Sequence, residues 1–416
     1  VRVALLLFLL SFSLRAEPQE IASSLTLSET VDAAVRDNAE LRSMRAKWEA
    51  MQQRPVQART LPNPMFSYSA MDQTRDYYFP DTSEKRFEVQ QQFPWPGKLG
   101  LKGKIAEKDA AATEFEYQAA LREVVMMVKE AYYDLYAVQQ ATLITHADLD
   151  VLKRMEQIAE TEYSTGTRPQ QDVLKAQTEI TMLQQKLLEY QQQEAVLKAK
   201  LNQLLNRPPE SRLGLAVTAP SAETEPQFER LFAIAEKARP ELKKASTDIE
   251  RSEYERDLMK KEFWPDYRLG LEYRNYRTDP DQLMFTIGFD LPIWQTKYRA
   301  AAREAEKMIE AGQAELQAVK QQTAFDVRAA QFKLLTARQS LELYRKQLIP
   351  QAKARFDASE AGYRAGKVDF IDLLESERFL LNARVMAAMA EGNVGTQAAR
   401  LERAIGTELP RMEAKK

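Results

Sequence analysis

Three carboxylates crowd the start of an apolar helical pattern: Asp369, Asp372 and Glu375 follow the segment Tyr363-Arg364-Ala365-Gly366-Lys367. A spacing of three puts Asp372 and Glu375 on one helical face, where they would attract cations and repel each other. The plainer role for acids near a helix N-terminus is to meet the positive end of its dipole. An earlier segment, Tyr163-Ser164-Thr165-Gly166-Thr167, leads instead into Gln170, Asp172 and Lys175. Gly166 and Gly366 stand where a helix would end at positive φ, and Pro169 suits the first turn of the helix that follows.

Little else in the chain could do chemistry. His146 is the only histidine, cysteine is absent, and Met126-Met127 is the only methionine doublet. Without a second imidazole, a thiol or a clear carboxylate cluster, His146 makes a poor metal ligand. No phosphate-binding glycine loop, nucleophile elbow or zinc-hydrolase motif occurs. No catalytic residue, metal site or cofactor is therefore expected. Lys and Arg number 59 against 61 Asp and Glu, so no basic surface for nucleic acid is advertised. Val1 to Ala16 reads as a secretory signal, residues 1–16, with one charge at Arg2 and an apolar core from Ala4 to Leu10. That core falls short of the roughly 20 residues a membrane helix needs. No later segment supplies such a run, so any membrane insertion must use strands.

The elements that position these residues come in two copies. Glu40 in Asn38-Ala39-Glu40-Leu41 and Glu241 in Arg239-Pro240-Glu241-Leu242 stand 201 positions apart, Gly166 and Gly366 stand 200 apart, and Pro94 and Pro292 stand 198 apart. Residues 17–215 and 216–416 therefore read as two structural repeats, each ordered helix, strand, strand, long helix, turn, helix. In the first, Ser28 to about Arg59 is a helical pattern with Ser28 as N-cap. The stretch from about Gly97 to Tyr163 carries Leu121, Val124, Val128, Ala131, Leu135, Val138 and Thr142 at coiled-coil spacing. After the turn the period resumes through Val173, Ala176, Ile180, Leu183, Leu187 and Tyr190, with Glu194 as its one misfit. The second repeat offers a long element from about Lys297 to Glu360, kinked at Pro350, and shorter ones over Phe228–Phe263 and Phe370–Leu401. At 1.5 Å per residue the long helices reach roughly 100 Å, and only 13 glycines and 18 prolines interrupt 416 residues. An elongated, tube-like or rod-like body is the better reading.

Four segments alternate with period two, at about 64–71, 84–93, 267–276 and 282–291. Phe66, Tyr68 and Ala70 share a face, as do Phe87, Val89, Gln91 and Phe93; then Tyr267, Leu269, Leu271 and Tyr273; and Leu283, Phe285, Ile287, Phe289 and Leu291. One apolar and one polar face suits a membrane strand with lipid outside and water inside, and equally two soluble hairpins packed on helices. Aromatic residues at the segment ends, Phe93, Trp95, Trp264, Tyr267 and Trp294, favour the membrane. Four strands leave two open edges, which hydrocarbon cannot solvate, so closure must come from other subunits. A dimer would give a narrow, filled barrel and a trimer about twelve strands with room for a lumen.

The two-copy plan, the strand pair in each copy, and the Tyr-x-x-Gly turn followed by Asp-Val-Leu (Asp172-Val173-Leu174) or Asp-Leu-Leu (Asp372-Leu373-Leu374) together resemble the TolC or outer-membrane efflux protein family. That resemblance implies a mainly α protein with a membrane β part: long coiled-coil helices forming a periplasmic α-barrel, and four strands per protomer contributing to a trimeric twelve-stranded β-barrel. It implies a passive exit duct in the outer membrane, not an enzyme. The implied partners are two further copies of the chain, outer-membrane lipid, a periplasmic adaptor protein and an inner-membrane pump of the RND type. By the same resemblance Asp369, Asp372 and Glu375 would form the periplasmic gate, with Glu375 replacing the commoner second Asp. Tyr163, Gly166, Thr167, Asp172, Tyr363, Gly366 and Lys367 would form adaptor-docking tips. Phe93-Pro94-Trp95-Pro96-Gly97-Lys98 looks like the junction of members paired with heavy-metal pumps of the cobalt-zinc-cadmium or copper-silver type. Some members carry a lipid on an N-terminal cysteine; this sequence departs from that pattern. The competing class is a soluble periplasmic coiled-coil scaffold or adaptor; within the family, a multidrug or protein-secretion channel competes.

Overall fold

The computed structural model describes residues 24–71, 83–220 and 227–409; the expected signal segment at 1–16 lies outside them. In chain order the elements are β1 (Ser24–Leu25), α1 (Leu27–Asp37), α2 (Ala39–Met51), α3 (Arg54–Arg59), β2 (Met65–Met71), β3 (Glu84–Phe93), α4 (Lys98–Ser164) and α5 (Gln170–Leu204). There follow β4 (Leu215–Ala216), α6 (Phe228–Ala238), α7 (Pro240–Lys261), β5 (Asp266–Tyr276), β6 (Gln282–Asp290), α8 (Gln295–Leu343), α9 (Ile349–Arg364) and α10 (Phe370–Ile405). No helix among the described residues is long and apolar enough to cross a membrane.

Three local expectations are corrected. Ser28 lies inside α1, and Thr26 is the cap: its Oγ accepts the Glu29 backbone N–H, while Glu29 sits three positions on, the spacing of a capping box. The helix expected from Ser28 to Arg59 is three helices, with a second break at Gln52–Gln53; α1 ends because Asn38 turns extended (φ −61°, ψ 127°) and its side chain donates to the Leu204 carbonyl at 2.9 Å. Likewise Phe228–Phe263 is split at Arg239 (φ −68°, ψ 120°), where the ring of Pro240 bars the residue before it from helical geometry. The kink expected at Pro350 is matched by a π turn just before it, over Tyr344–Leu348, with the Ile349 N–H bonded to the Tyr344 carbonyl. A widened turn relieves the clash of a proline ring with the carbonyl four residues back.

The chain divides into two compact units, and neither coincides with a sequence repeat. One comprises Val1–Asn38, Met127–Ala222 and Thr336–Gln397. Its core joins Leu149, Leu152 and Met155 of α4 to Val173, Leu183 and Leu187 of α5 and to Phe370, Leu373, Leu374 and Leu381 of α10. Each such buried side chain contributes about 1.5–3 kcal/mol over exposure. In the same unit the Tyr132 hydroxyl donates to the Leu25 carbonyl and accepts the Thr218 N–H, at 2.8 and 2.9 Å, anchoring the parallel β1–β4 pair. Glu194, the misfit of the α5 seam, accepts a bond from Gln139 at 3.0 Å, and Gln139 in turn accepts the Ala216 N–H at 3.0 Å. A buried backbone donor of that strand is thereby satisfied.

The other unit comprises Ala39–Met126, Glu223–Leu335 and Ala398–Lys416. It holds an antiparallel sheet in the order β2-β3-β5-β6, so the strand pairs of the two repeats meet along β3 and β5. Lys98, 2 % exposed, fixes the entry to α4 through Asp266 at 2.8 Å and Glu262 at 3.2 Å. Trp95 stacks on Trp264 beside it at 5.0 Å.

Candidate functional site

Both turns end their helices in one way. Gly166 (φ +75°) and Gly366 (φ +69°) adopt the left-handed conformation, and a Cβ at either would meet nothing within 4 Å. Backbone angle, not space, requires glycine there. The Gly166 N–H bonds the Tyr163 carbonyl and the Thr167 N–H the Glu162 carbonyl, both at 2.9 Å. Gly366 to Tyr363 at 3.0 Å and Lys367 to Gly362 at 2.9 Å repeat the pattern. These are the paired bonds of a Schellman motif, which satisfy carbonyls the helix end leaves open. Pro169 lies one step earlier than expected, at the N-cap of α5, and not within its first turn.

The tyrosines of the two turns have opposite fates. Tyr163 is 47 % exposed, whereas Tyr363 is 3 % exposed. The Tyr363 hydroxyl donates to Glu162 at 2.6 Å, its ring faces Phe370 at 5.4 Å, and the Arg168 guanidinium lies 4.9 Å from its centroid. Burial, then the bond to Glu162, holds its phenol well above the usual tyrosine value. Tyr363 thus ties one turn to the other and presents no surface for docking. Asp172 is also buried, at 6 % exposure, beside Lys175 at 3.7 Å. Its counterpart Asp372 is exposed, as are Asp369 and Glu375. Between and just beyond these acids, Leu373, Leu374, Ser376 and Glu377 of α10 are turned inward. Gly166, Thr167, Gly366 and Lys367 form the accessible crest of the turns, Thr167 included as a 3.0 Å partner of Thr165. His146 is exposed on α4, and no group of metal-competent side chains converges among the described residues.

Two interactions escape a reading of the sequence. Glu162 carries no motif, and only the packed turns bring it to Tyr363. Asp148 of α4 and Glu377 of α10, 3 % and 2 % exposed, stand on the apolar seams of their helices. A charge at a seam position was the available signal for that pair.

The sheet sorts its side chains by face. Across the strands, Phe66, Val89, Leu271 and Phe285 form one row, and Tyr68, Phe87, Tyr273 and Leu283 the next. All eight are at least 37 % exposed. On the opposite face Arg86 pairs with Glu272 at 3.1 Å and Glu84 at 3.3 Å, Arg274 pairs with Glu272, and Ser67 donates to Glu88 at 3.3 Å. Isolated soluble sheets bury the apolar face and solvate the charged one. Here the apolar face lies open over four strands, the arrangement required where lipid contacts one side and water the other. Among the described strands, β2 and β6 are the outer members of the sheet.

Comparison with known proteins agrees with this arrangement. The chain is similar to the cobalt-zinc-cadmium resistance protein CzcC of Cupriavidus metallidurans, 22% identical over 94% of this chain and 92% of that protein. Its fold matches the outer-membrane channel OprN (TM-score 0.78, 17% identity, 91% of this chain and 89% of that one). It also matches the outer membrane protein VceC of Vibrio cholerae (TM-score 0.75, 19% identity, 92% and 96%). The sequence pattern described as outer membrane efflux protein matches twice, over residues 30–207 and again over 231–407. The chain therefore belongs to the outer membrane efflux protein family, whose members are outer-membrane efflux channels with a large helical periplasmic part and not an enzyme family.

Proposed function

We propose that this channel is the outer-membrane duct of a tripartite efflux system. Three copies close their sheets into one barrel of about twelve strands, and a periplasmic adaptor joins them to an inner-membrane pump of the RND type that supplies the energy. The observation that carries the reading is the sheet of β2, β3, β5 and β6, apolar and exposed on one face, charged on the other. Backbone groups on an open edge cannot remain unpaired in hydrocarbon, so the outer strands must meet neighbours. A soluble scaffold would leave that apolar face without a purpose.

The finer assignments extend the same reading. The two matching halves are read as copies of one ancestral unit, near 17–215 and 216–416, that supply like parts to a ring. Asp372 and Glu375, exposed on α10 with Asp369 before them, form a carboxylate ring at the periplasmic entrance that repels itself and admits cations. Gly166, Thr167, Gly366, Lys367 and the exposed Tyr163 form the adaptor contact. The cargo is a metal cation: the chain resembles a cobalt-zinc-cadmium resistance protein along nearly its whole length. Extraction from outer membranes in mild detergent, followed by crosslinking and heat-modifiable mobility, tests the assembly. A heat-sensitive species of about three times the chain mass supports it, and a soluble monomer refutes it. A deletion strain that becomes sensitive to zinc, cobalt or cadmium, but not to dyes, supports the cargo; the reverse pattern assigns a multidrug pump.

A further inference from the structure

Glu377 and Asp148 meet in the core between α10 and α4, each at least 97 % buried, and the mechanism of a passive duct makes no use of them. Their carboxyls lie within hydrogen-bonding range of each other, and Asp148 Oδ2 is buried with no donor from the described residues beside it. Leu149 and Leu152 of α4 and Leu373 and Leu381 of α10 belong to one apolar core cluster. The charged groups facing the pair are few. Glu179 of α5, itself 6 % exposed, is held by the Arg378 guanidinium at 2.9 Å. Arg384 of α10 lies close enough to favour one negative charge on the pair. A single cation cannot balance two carboxylates there, and two like charges in apolar surroundings repel strongly. A bond between two carboxyl oxygens needs a hydrogen.

We propose that Asp148 and Glu377 hold one proton between them as a permanently occupied site at neutral pH, and that this O–H···O bond clamps α10 to α4 directly behind the turn that bears Asp372 and Glu375. Glu377 is the donor: burial, then the bond to Asp148, pushes its carboxyl up to about 10, while Asp148 is raised by burial and drawn down by the bond from Glu377. Loss of the proton leaves two facing negative charges, which drives the helices apart. Glu377 lies five residues beyond Asp372, about 7.5 Å along the helix, so displacement at the clamp reaches the acidic face within two turns.

Linkage gives the direction. The folded chain keeps a proton that the unfolded chain releases above the ordinary carboxylate range, so stability falls as pH rises from that range toward about 10. Glu377→Gln donates an amide N–H to Asp148 without titrating, and should remove that decline.

Infrared spectroscopy of the full-length protein in lipid tests the proton directly. The wild type should show the C=O stretch of a protonated carboxylic acid at pH 7, lost above the Glu377 value and absent in Glu377→Gln. The melting temperature should fall with pH in the wild type and stay level in the variant, and bilayer conductance should rise on alkalinisation in the wild type alone. Absence of the band at pH 7, or its persistence in Glu377→Gln, overturns the shared proton. A band with identical pH profiles of melting and conductance in both proteins overturns the clamp. The conductance arm rests on the gate reading, the infrared and melting arms do not. If Asp372→Asn with Glu375→Gln leaves conductance unchanged, the gate reading fails while the other two arms still decide the proton.

Discussion

Replacing Ile287 by Arg, and separately Thr286 by Arg, places one charge on each face of β6 at adjacent positions. Ile287 is 56 % exposed in the apolar row that runs through Leu269 of β5. Thr286 is exposed on the other face, opposite Gly270, where a Cβ would lie 3.5 Å from Thr286 and 3.9 Å from Glu88 Oε1. The strand has nine residues, about 30 Å at roughly 3.4 Å each, so both positions lie near the middle of its span. An Arg facing lipid near the midplane costs about 2–4 kcal/mol, hence about 6–12 kcal/mol across three subunits, whereas a lumen-facing Arg costs little. Glu88 offers that second Arg a partner. The assay is the yield of heat-modifiable trimer in the outer-membrane fraction. Ile287→Arg should abolish assembly and Thr286→Arg should leave it near the wild-type level. Were the sheet a soluble surface, both substitutions would stay within about 0.5 kcal/mol. Equal assembly of the two variants would therefore refute the membrane assignment.

Tyr363→Phe deletes the hydroxyl bond to Glu162, a bond to a charged group worth about 1.5–3 kcal/mol, and should raise single-channel conductance by loosening the turns; unchanged conductance would show that the bond restrains nothing. Gly166→Ala and Gly366→Ala force a Cβ into left-handed backbone at about 1–2 kcal/mol each, with melting temperature as the readout, and Asn should be tolerated better than Ala at both sites. Asp372→Asn combined with Glu375→Gln should lower cation over anion selectivity, measured as reversal potential in a salt gradient, while leaving trimer yield intact; an unaltered reversal potential would remove these residues from the entrance.

Much of the architecture could be read before any coordinates. Coiled-coil spacing along α4 and α5 locates a buried seam, because a helix returns the same face every seven residues. Alternation in β5 and β6 marks two-faced strands, because successive side chains point to opposite sides. A local signal can mislead at a helix start: Ser28 is a good capping residue by type, yet the cap is Thr26, whose side chain accepts the Glu29 N–H. Nothing in the residue type of Asn38 forbids helix, and its break depends on the Leu204 carbonyl accepting its side chain.

The sequence by itself determined the element types and the polarity of each face, since these rest on periodicities within one segment. Only the tertiary structure decided how the two copies differ. Tyr163 and Tyr363 end equivalent turns, yet one is open and the other buried against Phe370 and Glu162. Asp172 faces inward beside Lys175, and Asp372 faces outward. The compact units likewise draw segments from both repeats. Burial depends on which neighbours a helix face meets, and copies with one internal period meet different neighbours once they pack against each other. The proximity of Glu377 to Asp148 has the same origin: 229 positions separate them in the chain, and only the packing of α10 on α4 turns two seam charges into one buried pair.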